Sequence, residues 1–508
     1  MIPLFFIALS PIIWLIIALS ILKMSSHKAC PIALAIAVIT ALLIYQMPLL
    51  HTATAILEGI ALACWPILLV IIAAIFTYNL SLYTKSMDTI KKMLTSVSTD
   101  RRILVLLIGW GFGAFLEGMA GFGTAIAIPA SMLVGIGINP LLAALVCLIA
   151  NSVPTAYGSI GIPIVTLGQI TDIAPLQLAK YVCLQLAPLN LLCPFLIVIA
   201  TGRSIRALKG VFLLTFIAGI SFLIPEMLVS FFMGPELAVV AASICTMSAI
   251  ILCAKTLKVD DDTYRMDISK ASVPFQKGLL ACLPFILIFI FLLATSKLIP
   301  AINQPLNLVK TSVLIYSGAD ASPYTFTWLA TPGVLILLAS FIGGRVQSTS
   351  FGEMLLVLRK TIVSLRNTII TIITVIATAK IMGYSGMTHE IAETAVNTTG
   401  IFYPAIAPFI GSVGTFITGS ATSSSVLFGK LQTASASAIF ANADWIAAAN
   451  ATGACAGKMI SPQSIAIATA AISSPGHDSE LLKSAVKYYI SFIIVMGCVV
   501  YFGQVLIH

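Results

Sequence analysis

Two ionisable residues stand where an almost unbroken hydrocarbon sequence should hold none. Lys458 lies inside NATGACAGKMISPQ (450–463), and Glu117 follows a dozen apolar positions to open EGMAGFG (117–123). A third feature is the polar run TGSATSSS (418–425), with four hydroxyls in a row from Thr422 to Ser425. An ammonium can pair with a carboxylate, hydroxyls are neutral donors, and a carboxylic acid in an apolar site can carry a proton because ionising it there is costly. Together these residue types suit a small organic anion moved with a proton.

The elements that must position them are membrane helices. Of 508 residues, 59% are hydrophobic and 9% charged, the mean hydropathy is +1.08, and a soluble domain carries roughly 25% charge. Runs at 4–22, 210–232, 237–254, 279–296 and 490–507 each approach the ~20 apolar residues that cross a bilayer. The fold class is therefore an all-α, polytopic membrane protein, with 12 to 14 segments expected and a location in the prokaryotic cytoplasmic membrane. The first run lacks the charge pattern and cleavage site of a signal peptide and is read as a retained helix. The net charge of +9 does not argue for nucleic acid, because the cations fall in short groups between apolar runs. Ten cysteines occur without a C-x-x-C pair and five histidines sit near loops or the terminus, so no metal site or cofactor is expected.

Four basic groups, Lys23 to Lys28, Lys85 to Arg102, Arg203 to Lys209 and Lys255 to Lys277, are placed in the cytoplasm by their charge. This puts the N terminus outside and gives an even number of crossings between Arg102 and Arg203. Gly234-Pro235-Glu236 is expected as the outer turn of a hairpin over 210–254. The chain then leaves by residue 297, runs outside near Asn303 to Pro323, and returns by Gly343 to a basic segment ending at Arg366. The segment 386–400 is expected outside. Residues 85–101 and 351–360 read as amphipathic helices on the inner surface.

Two boxes recur along the chain. Gly113-Ala-Phe-Leu-Glu-Gly118 is matched by Gly414-Thr-Phe-Ile-Thr-Gly419, and Ala150-Asn151 is matched by Ala449-Asn450, each with glycine seven and proline twelve positions after the asparagine. Loop parity has the first copy approached from the cytoplasm and the second from outside, so the two units are expected to be inverted. The expected organisation is one transporter domain, with halves near 1–255 and 278–508 joined by a cytoplasmic linker over 255–277. Backbone groups unpaired at a glycine-rich interruption are tolerable in a membrane only where protein or water surrounds them. Residues 117–123 and 418–425 are thus expected breaks near the midplane, although glycines at 109 and 113 could equally serve close helix packing.

A half-helix N terminus at such a break favours a small anion. The expected substrate ligands are Gly118, Gly121, Gly123, Asn151, Ser420, Thr422, Ser423, Ser424, Ser425, Asn450 and Lys458. Lys458 has three readings, an ion pair to substrate, an ion pair to Glu117, or a lysine snorkelling to an interface. Glu117 is the expected proton carrier and Glu58 a second one, with Lys380 and Asp444 below them.

At these residues the sequence resembles the L-lactate permease family. The resemblance rests on EGMAGFGTAIAI (117–128), CLIANSVPTAYGSIGIPI (147–164), and GTFITGSATSSSVLF with GKMISPQSIAIA (414–428 and 457–468), and it covers most of the chain. It implies proton-coupled uptake of L-lactate, with D-lactate or glycolate also accepted. Two positions depart from the family's pattern. An acid and an amide of Gly-Ser-Asp-Thr-Ser-Ser-Asn are replaced by Ala421 and Ser425, and a proline of the first block is Ala125. The lost acid leaves a sodium-coupled carrier of other organic anions as the alternative. An enzyme would need convergent catalytic groups within the bilayer, and the spans hold no histidine and almost no aspartate.

Overall fold

The computed structural model describes residues 2–18, 22, 24–121, 123–257, 261–266, 273–296, 298–318, 321, 323–472 and 477–507. Lys23 of the first basic group, Phe122 of the first break, and residues 258–260 and 267–272 of the expected linker lie outside the described residues. So do residues 297, 319, 320 and 322 of the expected outer stretch.

Ten helices among the described residues are long and apolar enough to cross a bilayer, or up to eleven if the bent pair Pro140–Ser152 and Pro154–Thr171 is one span. The wider expectation of 12 to 14 included stretches that fold short: Ile2–Ala8 with Ser10–Ile16 before the first basic group, and Pro332–Val346 before Arg345 to Arg366. One departure from all-α is a two-stranded antiparallel ribbon, Lys310–Val313 with Tyr324–Thr327. Its β-branched and aromatic residues suit a pleated surface. Large apolar side chains such as Ile224, Leu228, Phe232 and Phe275 remain exposed on the outer helices, as lipid-facing positions require.

The basic segments share one face. The fully buried Arg102 pairs with Asp100 at 2.7 Å and Asp261 at 3.5 Å, and donates to the Ala207 and Lys209 carbonyls at 2.9 and 3.0 Å. The Met266 N–H donates to the Thr99 carbonyl at 2.8 Å. The two amphipathic surface helices form over Ser86–Thr95 and Phe351–Ser364. The second begins with a capping box in which Ser350 and Glu353 satisfy each other's backbone N–H. Hydrogen bonds from Ser350 and Tyr83 hold the Glu353 carboxyl below the usual carboxylate range. At the opposite face Thr54 meets Ser317 at 3.0 Å, the Trp65 indole donates to the Thr327 carbonyl at 3.0 Å, and Lys430 pairs with Asp172 at 2.7 Å. The turn at 234–236 falls between Phe212–Phe232 and Ala238–Thr256, as its residues suggest.

Both interruptions are true breaks, and each makes a helical hairpin. The first arm runs from Arg101 to Met119, turns where Gly121 and Gly123 adopt positive φ, and returns as Thr124–Gly135. Gly113 faces the Ala125 carbonyl and Pro129 across the hairpin, so the arms are antiparallel. The span Arg101–Met119 is wholly buried, which shields its turn from lipid as unpaired backbone requires. In the second hairpin Tyr403–Thr418 turns at Gly419 (φ 68°) into Ala421–Ala438. The Ser424 hydroxyl donates to the Gly411 carbonyl at 2.6 Å, and the Gln432 amide to the Ala407 carbonyl at 2.9 Å.

Each hairpin is followed by a broken helix. In the first, Pro140–Ser152 and Pro154–Thr171 meet at 60°, and three left-handed residues, Ser159, Ile160 and Gly161, interrupt the second of them. In the second, Ala443–Ile460 stops at the extended Ser461 and resumes as Pro462–Ala471. The Asn-Gly-Pro frames therefore both bracket a break, but its position differs: between asparagine and proline in the first copy, immediately before the proline in the second. Glycines 453 and 457 let the second broken helix approach the backbone at Pro408 and Ser412, the close packing that small residues at fourfold spacing permit.

Candidate functional site

A cavity of about 530 Å³ lies where the four broken elements meet, within the size range of small-molecule sites. Glu117, Gly123 and Thr124 line it from the first hairpin, and Thr155, Gly158 and Ser159 from the first broken helix. Thr418 to Ser423 enter from the second hairpin, and Lys458, Gln463 and Ser464 from the second broken helix. Its remaining wall includes Ser26, His27 and Asn367, which adjoin the basic groups.

Three helix N termini converge here, those of Thr124–Gly135, Ala421–Ala438 and Pro462–Ala471, beside the left-handed residues 159–161 of the first broken helix. Each brings orphan N–H groups and the positive end of a dipole. The Ser420 side chain accepts the Ser423 N–H at 3.2 Å, which leaves the first-turn N–H groups at Ala421 and Thr422 for a ligand. No metal-binding group of three histidine, cysteine, aspartate or glutamate residues occurs among the described residues.

Lys458 is 7% exposed, faces the cavity, and donates to the Gly419 carbonyl at 3.4 Å. This placement removes the snorkelling reading. A direct ion pair to Glu117 is also absent among the described residues, although the lysine lies near enough to act on that carboxyl electrostatically. Glu117 is 3% exposed and lies beside the Asn151 side chain, with its Oε2 unpartnered. It sits against Gly158, where a Cβ would come within 2.6 Å of Oε1. Asn151 thus supports the acid rather than lining the cavity. Gly121 is needed for its left-handed backbone and for room beside Ser159, whose hydroxyl donates to the Ala120 carbonyl at 2.8 Å. Ser159 and Lys458 occupy corresponding places in the two copies, and each holds a carbonyl at the tip of its own hairpin.

Other expected ligands lie elsewhere. Gly118 packs against Val239 and Val240. Ser424 and Ser425 are buried, as helical periodicity turns them away from Ser420, Thr422 and Ser423. Asn450 is fully buried and donates to the Ser424 carbonyl at 3.2 Å, which braces the hairpin. Ala421 stands at the cavity wall, so the position of the absent acid is a lining position. Asp444 is in the first turn of Ala443–Ile460 and does not line the cavity.

Glu58 is also outside it. Lys380 Nζ meets its carboxylate at 2.6 Å and the Tyr384 hydroxyl donates at 2.9 Å, while Tyr384 stacks on Tyr316 at 3.7 Å. A buried carboxylate held by a half-buried lysine ties the two helices together. Lys380→Ala, which strands Glu58, is expected to cost ~3–5 kcal/mol and to lower the unfolding temperature in detergent. Glu58→Gln with Lys380→Met should cost much less; equal loss in both would argue against the pair.

One carboxyl escaped sequence reading. Glu226, within the apolar run 210–232, is fully buried and bonded to Asn190, with its other oxygen unpartnered. Nearby, the Ser230 hydroxyl meets Tyr157 at 3.2 Å, beside the first break. A lone acid in FLIPEMLV was the available signal.

A model of the L-lactate permease family matches residues 4–507. The chain belongs to the L-lactate permease family. It is 45% identical over 449 residues to an L-lactate permease of Streptococcus iniae, covering 88% of this chain and 94% of that one. It is 35% identical to an L-lactate permease of Escherichia coli K12 and 33% identical to the glycolate permease GlcA of the same strain, with 97% of this chain and 94% of each relative covered. Among solved structures, the YdaH transporter of Alcanivorax borkumensis aligns with a TM-score of 0.36 and 13% identity, covering 78% of this chain and 83% of that one. This family member is a multi-pass membrane protein, and its matched blocks include both hairpin turns and both broken helices.

Proposed function

We propose that this permease takes up a small 2-hydroxymonocarboxylate, L-lactate with D-lactate or glycolate also accepted, by symport with a proton. The observation that carries the reading is the meeting of Lys458, Glu117 and three helix N termini in one cavity. That equipment suits one carboxylate and one proton, and relatives named as L-lactate and glycolate permeases supply the substrate class.

In this reading Lys458 and the N–H groups at Ala421 and Thr422 hold the substrate carboxylate. Hydroxyls of Ser420, Thr422 and Ser423 receive the 2-hydroxyl. Glu117 binds the proton, so an anion and a proton cross together without net charge. The two halves, 1–255 and 278–508, act as inverted units that expose the cavity alternately to each side. The wall formed by Ser26, His27 and Asn367 corresponds to the inward-facing arrangement.

Purified protein in liposomes tests the coupling. An imposed pH gradient, acid outside, is expected to drive lactate accumulation in sodium-free buffer, and a sodium gradient at equal pH is not. Accumulation that follows sodium and ignores pH would replace this reading with the sodium-coupled carrier.

A further inference from the structure

We infer that the permease carries a binding site for an anionic phospholipid of the inner leaflet, separate from the transport cavity. Three basic segments that are far apart in sequence come together on the basic face, and Arg101, Arg203 and Arg265 line a pocket of about 610 Å³. The excess of lysine and arginine marks this face as cytoplasmic.

The cations there are only partly used. The Arg101 guanidinium lies 4.8 Å from the Tyr264 ring, but its Nε is buried without a hydrogen-bond partner. Arg203 is exposed, and its guanidinium has no ion pair among the described residues. Arg265 has a loose pair with Asp262 at 3.7 Å. No acid is among the described residues that line the pocket, and the nearby Asp100 and Asp261 are engaged by Arg102, so its lining is positively charged. Bidentate donors in that arrangement suit a phosphate group.

A second feature says what the phosphate is attached to. Next to this pocket runs a groove of about 520 Å³ that shares Asn139, Leu142 and Arg203 with it and continues along Leu141, Leu145 and Ile199. A free phosphate ion has no use for an apolar groove; a phospholipid puts its headgroup among the arginines and an acyl chain beside the leucines. Glu480 and Ser484 at the groove's other wall disfavour a second charged group there. Basic pockets between helices on the cytoplasmic side are a recurring form of lipid recognition.

The experiment measures retention of phosphatidylglycerol and of phosphatidylcholine by the full-length permease in native mass spectrometry, together with the unfolding temperature on titration with each lipid. Selective retention of phosphatidylglycerol is expected, weakened about fivefold by Arg203→Gln and by a similar factor again when Arg101→Gln is added. Arg206→Gln, an exposed arginine outside the pocket, should change nothing. The Arg203 side chain is exposed and has no ion pair among the described residues, so its single variant remains informative if the double variant folds poorly. Equal retention of both lipids, insensitivity to Arg203→Gln, or protection by inorganic phosphate as strong as by phosphatidylglycerol would overturn the inference.

Discussion

Glu117→Gln is expected to abolish pH-driven lactate accumulation while leaving exchange of internal for external lactate measurable. Glutamine keeps the size that Gly158 accommodates, since a Cβ there would already come within 2.6 Å of Oε1. What it loses is the titratable proton. A gradient of one pH unit supplies about 1.4 kcal/mol per proton, enough for a tenfold accumulation of a monoanion. The variant should fall to the level of a simple equilibrator, with counterflow preserved because the cavity and Lys458 are intact. Accumulation at the wild-type level would remove Glu117 from coupling and turn attention to Glu226, a fully buried acid with an unpartnered oxygen.

Lys458→Ala should raise the substrate concentration for half-maximal exchange by roughly 10- to 150-fold, the effect of losing about 1.5–3 kcal/mol from a hydrogen bond to a charged group. Exchange kinetics are the right readout, because they report binding without requiring a proton gradient. The protein should remain folded, since among the described residues the ammonium's one hydrogen bond is the 3.4 Å contact with Gly419. Lys458→Arg keeps the charge and should recover part of the affinity. An unchanged half-saturation in Lys458→Ala would mean that helix N termini alone bind the carboxylate.

The hairpin turns were legible because each is written in local backbone chemistry. Gly121, Gly123 and Gly419 mark left-handed positions, and Ser420 is a side-chain cap, so the two breaks lie where the residue types put them. The frame of asparagine, glycine and proline was legible in the same way. Its consequence was not: Asn450 and Ser424 look like ligands in a list of polar residues, yet face the packed interior of the second hairpin. A helix rotates by 100° per residue, and which face meets a cavity depends on the neighbour against which the arm is packed.

The sequence by itself determined the membrane class, the basic groups, the turn at 234–236, the two interruptions and the two ionisable residues set in apolar surroundings, Glu117 and Lys458. These follow from composition, charge distribution and short-range backbone preference, which do not depend on distant parts of the chain. Only the tertiary structure decided which polar groups share a space. It paired Glu58 with Lys380, more than 300 positions away, at 2.6 Å. It also set Lys458 and Glu117 on one cavity wall although they belong to different halves. Such pairings arise from helix packing between remote segments, and no local spacing encodes them.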